Sequence, residues 1–198
     1  MYALVEDGSI TKYFSGNKGI TIGDIQYPKA IFTLWTKSER EAIGIYEIVW
    51  DNSKKKEEAW YINTNASFSF GSGKVTASYG DATARKHADT LWTAQDESDG
   101  KGTEGELAYR GLKYNLIQTV KQQANGLLSQ TDWYVTRKSE KSTAIPSNIT
   151  TWRNGIRSKQ AEMETAITNA ADTPALETLY TRDADGVRPL GELPRLDS

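Results

Sequence analysis

The amino-acid sequence predicts an α+β protein, with a small antiparallel β-sheet on the N-terminal side followed by a C-terminal α-helical hairpin. Three observations predict it. Up to Tyr79, short alternating runs are divided by tight-turn residues, Asp7-Gly8 and Gly71-Ser72-Gly73 among them, the pattern of a sheet with short connections. The composition then shifts towards Ala, Arg, Lys and Leu. Beyond residue 104, two long segments carry apolar residues three and four apart, the period of an amphipathic helix.

Residues 2–5 and 9–14 pair as a hairpin across Asp7-Gly8, because a primed two-residue turn needs positive φ at both central positions. Residues 15–29, rich in Gly, Asn, Lys and Asp and holding Pro28, read as loop. Residues 30–35 read as a short apolar strand. Residues 37–42 read as one or two helical turns capped by Thr36 or Ser38. Residues 45–50 alternate as a strand, Asp51-Asn52-Ser53 turns the chain, and residues 58–70 form a long strand with Trp60, Ile62, Phe68 and Phe70 on one parity. Gly71-Ser72-Gly73 returns the chain into a strand over 74–79.

Residues 83–93 read as a short helix. A helix over 104–128 places Tyr109, Leu112, Leu116, Val120, Ala124 and Leu127 on one stripe. A second, over 146–170, does the same with Ile149, Trp152, Ile156, Met163, Ile167 and Ala170, and Pro146 suits its start. Residues 129–145 between them read as a polar connection. Asp172-Thr173-Pro174 stops the second helix and opens a short third one to about residue 180. The domain reading is therefore a β-rich domain over 1–95, a linker over 96–105, a helical hairpin domain over 106–180 and an extended tail over 181–198. That tail has two Pro and two Gly and should be disordered alone. Its Val187, Leu190, Leu193 and Leu196 are expected to pack on another chain or on the groove beside the hairpin.

Composition bounds the function. The net charge is -2 and evenly spread, without the basic block that nucleic acid or an anionic membrane calls for. Six Trp and ten Tyr are many for 198 residues; such rings fill cores and also enrich binding surfaces. There is no cysteine, which excludes disulfides and thiolate metal sites. The start lacks the basic and apolar pattern of a signal peptide, and no run approaches the roughly 20 apolar residues of a membrane span.

Candidate chemistry is sparse. His87 is the single histidine, so no His pair holds a metal, and no Gly-x-Ser-x-Gly elbow accompanies it. Gly71-Ser72-Gly73-Lys74 lacks both the leading Gly and the trailing Ser or Thr of a phosphate loop. In the acidic stretch 96–100, Lys101 stands where a calcium loop requires Gly. The chain reads as no enzyme, with no cofactor. The stretch that stands out is Leu127-Leu128-Ser129-Gln130-Thr131-Asp132-Trp133-Tyr134-Val135-Thr136-Arg137-Lys138-Ser139-Glu140, followed by Ile145-Pro146 and Trp152-Arg153-Asn154-Gly155-Ile156-Arg157. Thr131 or Asp132 can cap a turn there. Trp133 either folds back onto the hairpin or stands out as a binding anchor. Arg137, Arg153 and Arg157 can pair with Asp132 or Glu140.

The pattern Leu-Leu-x-x-Thr-Asp-Trp-Tyr-Val-x-Arg-x-x-Glu, then Ile-Pro, then Arg-x-x-Ile-Arg, resembles the C-terminal signature of the tail assembly chaperone (tail-fibre assembly) proteins of tailed bacteriophages. The likeness covers roughly residues 107–170. The opening Met1-Tyr2-Ala3-Leu4-Val5-Glu6-Asp7-Gly8 and the segment Ala88-Asp89-Thr90-Leu91-Trp92-Thr93 are similar to phage relatives more loosely. Residues 182–198 depart from the family. The resemblance implies a non-catalytic protein that helps a tail fibre fold or attach, within a hetero-oligomeric assembly with a tail-fibre or baseplate protein. It implies the host cytoplasm during assembly, with or without retention in the virion tail. It implies partner contacts among Thr131, Asp132, Trp133, Tyr134, Arg137, Ile145, Pro146, Trp152, Arg153 and Arg157. The alternatives are a permanent baseplate or fibre-adaptor subunit, and a hydrolase of host-surface glycans, which would need two facing carboxylates.

Overall fold

The computed structural model describes residues 1–196. It is mixed α+β, and the chain divides into two compact units, Met1–Thr83 and Ala84–Ser198.

The first unit opens with β1 (Tyr2–Glu6) and β2 (Ser9–Phe14), joined by Asp7-Gly8 at φ 49° and 75°. Further on come β3 (Ile20–Ile22), β4 (Ile25–Tyr27), α1 (Lys37–Ala42), β5 (Ile45–Asp51), β6 (Tyr61–Ile62), β7 (Ser67–Gly71) and β8 (Lys74–Ser78). The five-stranded sheet has the order β2-β1-β5-β8-β7. Three of its pairs are antiparallel, as expected of a largely antiparallel sheet, but β5 and β8 run parallel, a pairing the short connections did not predict. The Ser72-Gly73 turn forces β8 antiparallel to β7, and the long connection after β5 lets β8 enter between β5 and β7. No local signal announces that insertion.

A bulge in β2 sets the two faces. Leu4 pairs with Lys12 and Val5 with Ile10, so Thr11 is the extra residue. An inserted residue switches side-chain parity beyond it. Ile10 therefore joins Ala3, Ile48, Val75 and Ala77 on one face, and Phe14 joins Leu4, Ile31 and Ile45 on the other. The sheet curls until β2 and β7 approach, with the Tyr13 and Phe68 rings 5.0 Å apart.

Several local expectations are corrected. Residues 15–29 are not plain loop, since β3 and β4 pair within them. Residues 30–35 form no strand; a 3-10 turn over Lys29–Phe32 follows Pro28 and buries Ile31 and Phe32. A short apolar run does not by itself separate strand from helical turn. The long strand over 58–70 is broken into β6 and β7. Asn63 bonds both backbone groups of Lys56 through its side chain, at 2.9 and 2.8 Å, and Thr64 Oγ1 accepts from the Gly80 N–H at 2.8 Å. Such side chains offer the backbone an alternative to a ladder. The Thr36 cap forms as expected, as a capping box with Glu39.

A two-residue strand, β9 (Thr83–Ala84), stands at the junction of the units. In the second unit, β10 (Thr90–Leu91) pairs antiparallel with β11 (Leu107–Tyr109) around α2 (Ala94–Ser98). The helix expected over 83–93 is therefore absent, and 96–105 is no plain linker. Thr93 and Asp96 close a capping box there, and Lys101 bonds Asp96 at 3.1 Å. The first long helix starts later than expected, because residues 107–109 are claimed by β11. α3 (Leu112–Ser129) begins at Gly111, where a Cβ would come within 2.3 Å of the Ala88 backbone. α4 (Asp132–Lys141), α5 (Ser147–Asn169) and α6 (Thr173–Tyr180) follow.

α3 and α5 pack together as the expected pair, with Ala124, Trp152 and Ile156 in a core that Leu127, Leu128 and Leu193 border. The connection between them is α4. Among the described residues, no helix is long and apolar enough to cross a membrane. The stretch expected to be disordered folds back onto its own unit. Leu190 is buried, its N–H bonded to the Leu179 carbonyl at 3.0 Å, and Leu193 packs beside Trp152. Val187 and Leu196 stay exposed, so of the four aliphatic side chains Leu193 packs beside the hairpin as anticipated and Leu190 is buried near α6 instead. Residues 197 and 198 of that expectation lie outside the described residues.

Candidate partner-binding site on α4

The site begins with an arginine on the wrong side of a helix pattern. Arg153 stands four residues after Ile149 and three before Ile156, on the buried stripe of α5. A guanidinium in that position must find acceptors. Its Nη1 donates to the Leu128 carbonyl at 2.8 Å and to Thr131 Oγ1 at 2.7 Å, and its Nη2 donates to Asp132 Oδ1 at 2.8 Å. Leu128 O is one of the carbonyls that the end of α3 leaves without an intrahelical partner. The positive charge also suits a helix C-terminus, and Asp132 suits the first turn of α4. One side chain thereby ties α5 to both helices of the corner.

This corrects two expectations. Thr131 does not cap α4 with its side chain; it turns inward, donating to Leu128 O at 3.2 Å and accepting from Arg153. Of the three arginines, Arg153 alone pairs with Asp132. Arg157, next along the chain from Ile156, is off the stripe and exposed. The stripe position was the sequence signal that could have singled out Arg153. Leu128 could not be found that way, because it contributes only its backbone.

The latch fixes the start of α4, and the next turn carries the aromatic pair. Trp133 and Tyr134 stack with ring centroids 3.7 Å apart, and the Arg137 guanidinium lies 4.9 and 5.1 Å from the two rings. The 133 and 137 positions are one turn apart, which brings them to the same face. Arg137 therefore spends its charge on the rings, a cation–π contact, and not on Asp132 or Glu140. Its Nε is buried and has no hydrogen-bond partner among the described residues. Trp133 remains 52% exposed and Val135 43%. Trp133 thus stands outward and does not close onto the hairpin.

The other signature residues do structural work. Trp152 is buried, and its Nε1 donates to the Pro194 carbonyl at 3.1 Å. Half-buried Ile145 and exposed Pro146 lead into α5, with Pro146 immediately before it. Among the described residues, no group of three or more His, Cys, Asp or Glu side chains could hold a metal ion. Comparison of the chain with protein-family models, with curated proteins and with solved structures gives no match.

Proposed function

We propose that this chain is a non-enzymatic tail-fibre assembly chaperone or accessory protein of a tailed phage, which grips a tail-fibre or baseplate protein through α4. The observation that carries the reading is the Trp133–Tyr134–Arg137 stack, with Trp133 exposed on half-buried Tyr134 and Arg137, on a helix whose start is bolted down by Arg153. Trp, Tyr and Arg are the side chains that dominate binding energy at interfaces. A stack assembled before binding has already lost the rotamer freedom that docking would otherwise cost.

The sequence resemblance supplies the partner class. In this reading the protein acts in the host cytoplasm within a hetero-oligomeric assembly, without catalysis or cofactor. Co-expression with the neighbouring fibre protein should raise the soluble fibre yield, and Trp133→Ala with Arg137→Ala should abolish the gain. An unchanged yield with the double variant would sink the proposal. Fixed amounts of the chain in gels of purified virions would shift the reading to a permanent baseplate or fibre-adaptor subunit.

A further inference from the structure

The end of the chain lies between two open hollows. One, of about 590 Å³, is lined by Ser147, Asn148, Thr151 and Gly155 of α5 with Pro194 and Leu196 of the tail. The other, of about 370 Å³, is lined by Gln123, Gly126 and Leu127 of α3 with Glu192, Leu193 and Pro194. Both volumes lie in the range of ligand sites. Residues 191–196 form neither helix nor strand. They run as a narrow strap along the seam of α3 and α5.

Each helix is bare where the strap crosses it. Gly126 and Gly155 are the single glycines of α3 and α5, in helix interiors that glycine weakens, and each lines a hollow. A Cβ on Gly155 would stand 3.5 Å from Pro194 Cγ, so the proline ring lies against uncovered backbone. The Trp152 indole N–H donates to the Pro194 carbonyl at 3.1 Å, and Leu193 packs on the Ala124–Trp152–Ile156 cluster. A proline also biases the residue before it towards extended backbone. The seat thus reads a leucine and the proline that follows it.

The strap can lift without breaking a helix. Arg182 and Arg188 both hold Glu192, and Arg188 Nε donates to the Gly191 carbonyl at 3.0 Å. That clasp lies within the tail and travels with it. The strap is tied to the helices by the Leu190 N–H on the Leu179 carbonyl, the Arg188 guanidinium 5.4 Å from the Tyr180 ring, the Trp152 bond and the Leu193 packing. None of these is an ion pair. Residues 181–187, which join it to α6, are exposed. A segment held this way belongs to the low-stability end of a fold, which opens locally.

We infer that the seam of α3 and α5 is a docking groove for an extended segment of a partner protein, a leucine and a proline followed two residues on by an aromatic ring, and that residues 190–196 cover it until that segment displaces them. The tail of a second copy would leave the same hollows unfilled and gain nothing over the tail already there, while association itself costs entropy. An aromatic ring at the position of Leu196, which is 39% exposed where it lines the larger hollow, gains the apolar contact that the tail forgoes. The inference does not rest on the function proposed for α4.

The test is an NMR titration of the isotope-labelled full-length chain with the end-blocked peptide Gly-Glu-Leu-Pro-Arg-Phe. The Trp152 indole N–H signal should move, and the Leu190 amide should lose its protection from exchange. Leu193→Ser loosens a competitor whose tether gives it a high effective concentration, so the affinity of that variant for the peptide should rise about tenfold or more. Pro194→Ser serves the same purpose if Leu193→Ser destabilises the helices. Gly155→Leu fills the proline seat with a better helix former; it should abolish binding and keep its circular dichroism spectrum. The peptide Gly-Glu-Leu-Pro-Arg-Leu, which repeats the tail, should bind severalfold more weakly for want of apolar area. The inference is overturned if the indole signal stays still in both the intact chain and the loosened variant, or if the two bind the peptide equally. Undiminished binding in Gly155→Leu, or equal binding of the two peptides, would also overturn it. So would a dimer formed by exchange of tails as concentration rises, which would make a second copy the occupant.

Discussion

Arg153 and Trp133 show how much a single position depends on its neighbours. The sequence places three arginines near two carboxylates and cannot choose among them by proximity in the chain. The helical stripe chooses Arg153, since only that guanidinium is carried into the α3–α5 seam. Arg153→Met keeps the length and loses the donors. It removes the guanidinium bonds to Leu128 O and Thr131 Oγ1, although Leu128 O still accepts from the Thr131 N–H and hydroxyl, and losing such charged bonds typically costs about 1–3 kcal/mol. Asp132→Asn should cost far less, because the carboxylate is 60% exposed and exposed ion pairs contribute about 0–1 kcal/mol. Urea unfolding of the two variants would check the order; equal effects would mean that Arg153 acts through Asp132 alone. Trp133 was open in the sequence between a buried pin and an exposed anchor, because its partners are Tyr134 and Arg137 on its own helix and no apolar stripe runs through α4.

At the scale of elements, the legible parts are those whose signal is local. Asp7-Gly8, Ser72-Gly73 and the Thr36 cap each hold their chemistry within four residues. The parallel β5–β8 pair, the Thr11 bulge and the helix α4 were not legible. The first two are decided by which strands meet, and α4 shows polar residues all round except for the stack and the exposed Val135. The α2 capping box makes a pH prediction. The Thr93 hydroxyl and N–H, with Lys101, hold the Asp96 carboxyl down from 3.8 to about 2. A carboxylate depressed in the folded state stabilises above its unfolded pKa, and the contribution is lost as the pH falls towards the folded value. The α2 cap should therefore persist at pH 4 and open only as the pH approaches about 2. An NMR titration of the Asp96 carboxyl should show that midpoint; one near 3.8 would mean the box is not formed in solution.

Across the whole molecule, each unit encloses its own core, and the tail belongs to the second. The composition of residues 181–198 suggested disorder because local apolar content is low. What offsets the ordering entropy lies outside the stretch's own composition: Leu190 buried with its N–H on the Leu179 carbonyl, Leu193 beside Trp152, and Arg182 and Arg188 gathered on Glu192 at 2.7 and 2.8 Å. Deleting residues 182–198 removes two packed leucines, each worth about 1.5–3 kcal/mol when fully buried. Amide exchange in α3 and α5 should accelerate in the truncated chain, and the Leu190 amide should be protected in the isolated full-length protein. Equal exchange in α3 and α5 with and without the tail would show that it does not brace the helices.

The central claim is that α4 carries the partner contact. The most direct measurement is the affinity of the purified fibre protein for the intact chain and for Trp133→Ala, with thermal melts of both recorded in parallel. The account predicts a loss of about 2 kcal/mol or more in binding, the size of an interface hot spot, while stability changes by no more than the roughly 0.5 kcal/mol of an ordinary surface substitution. Undiminished binding would contradict it, as would a loss of binding matched by an equal loss of stability.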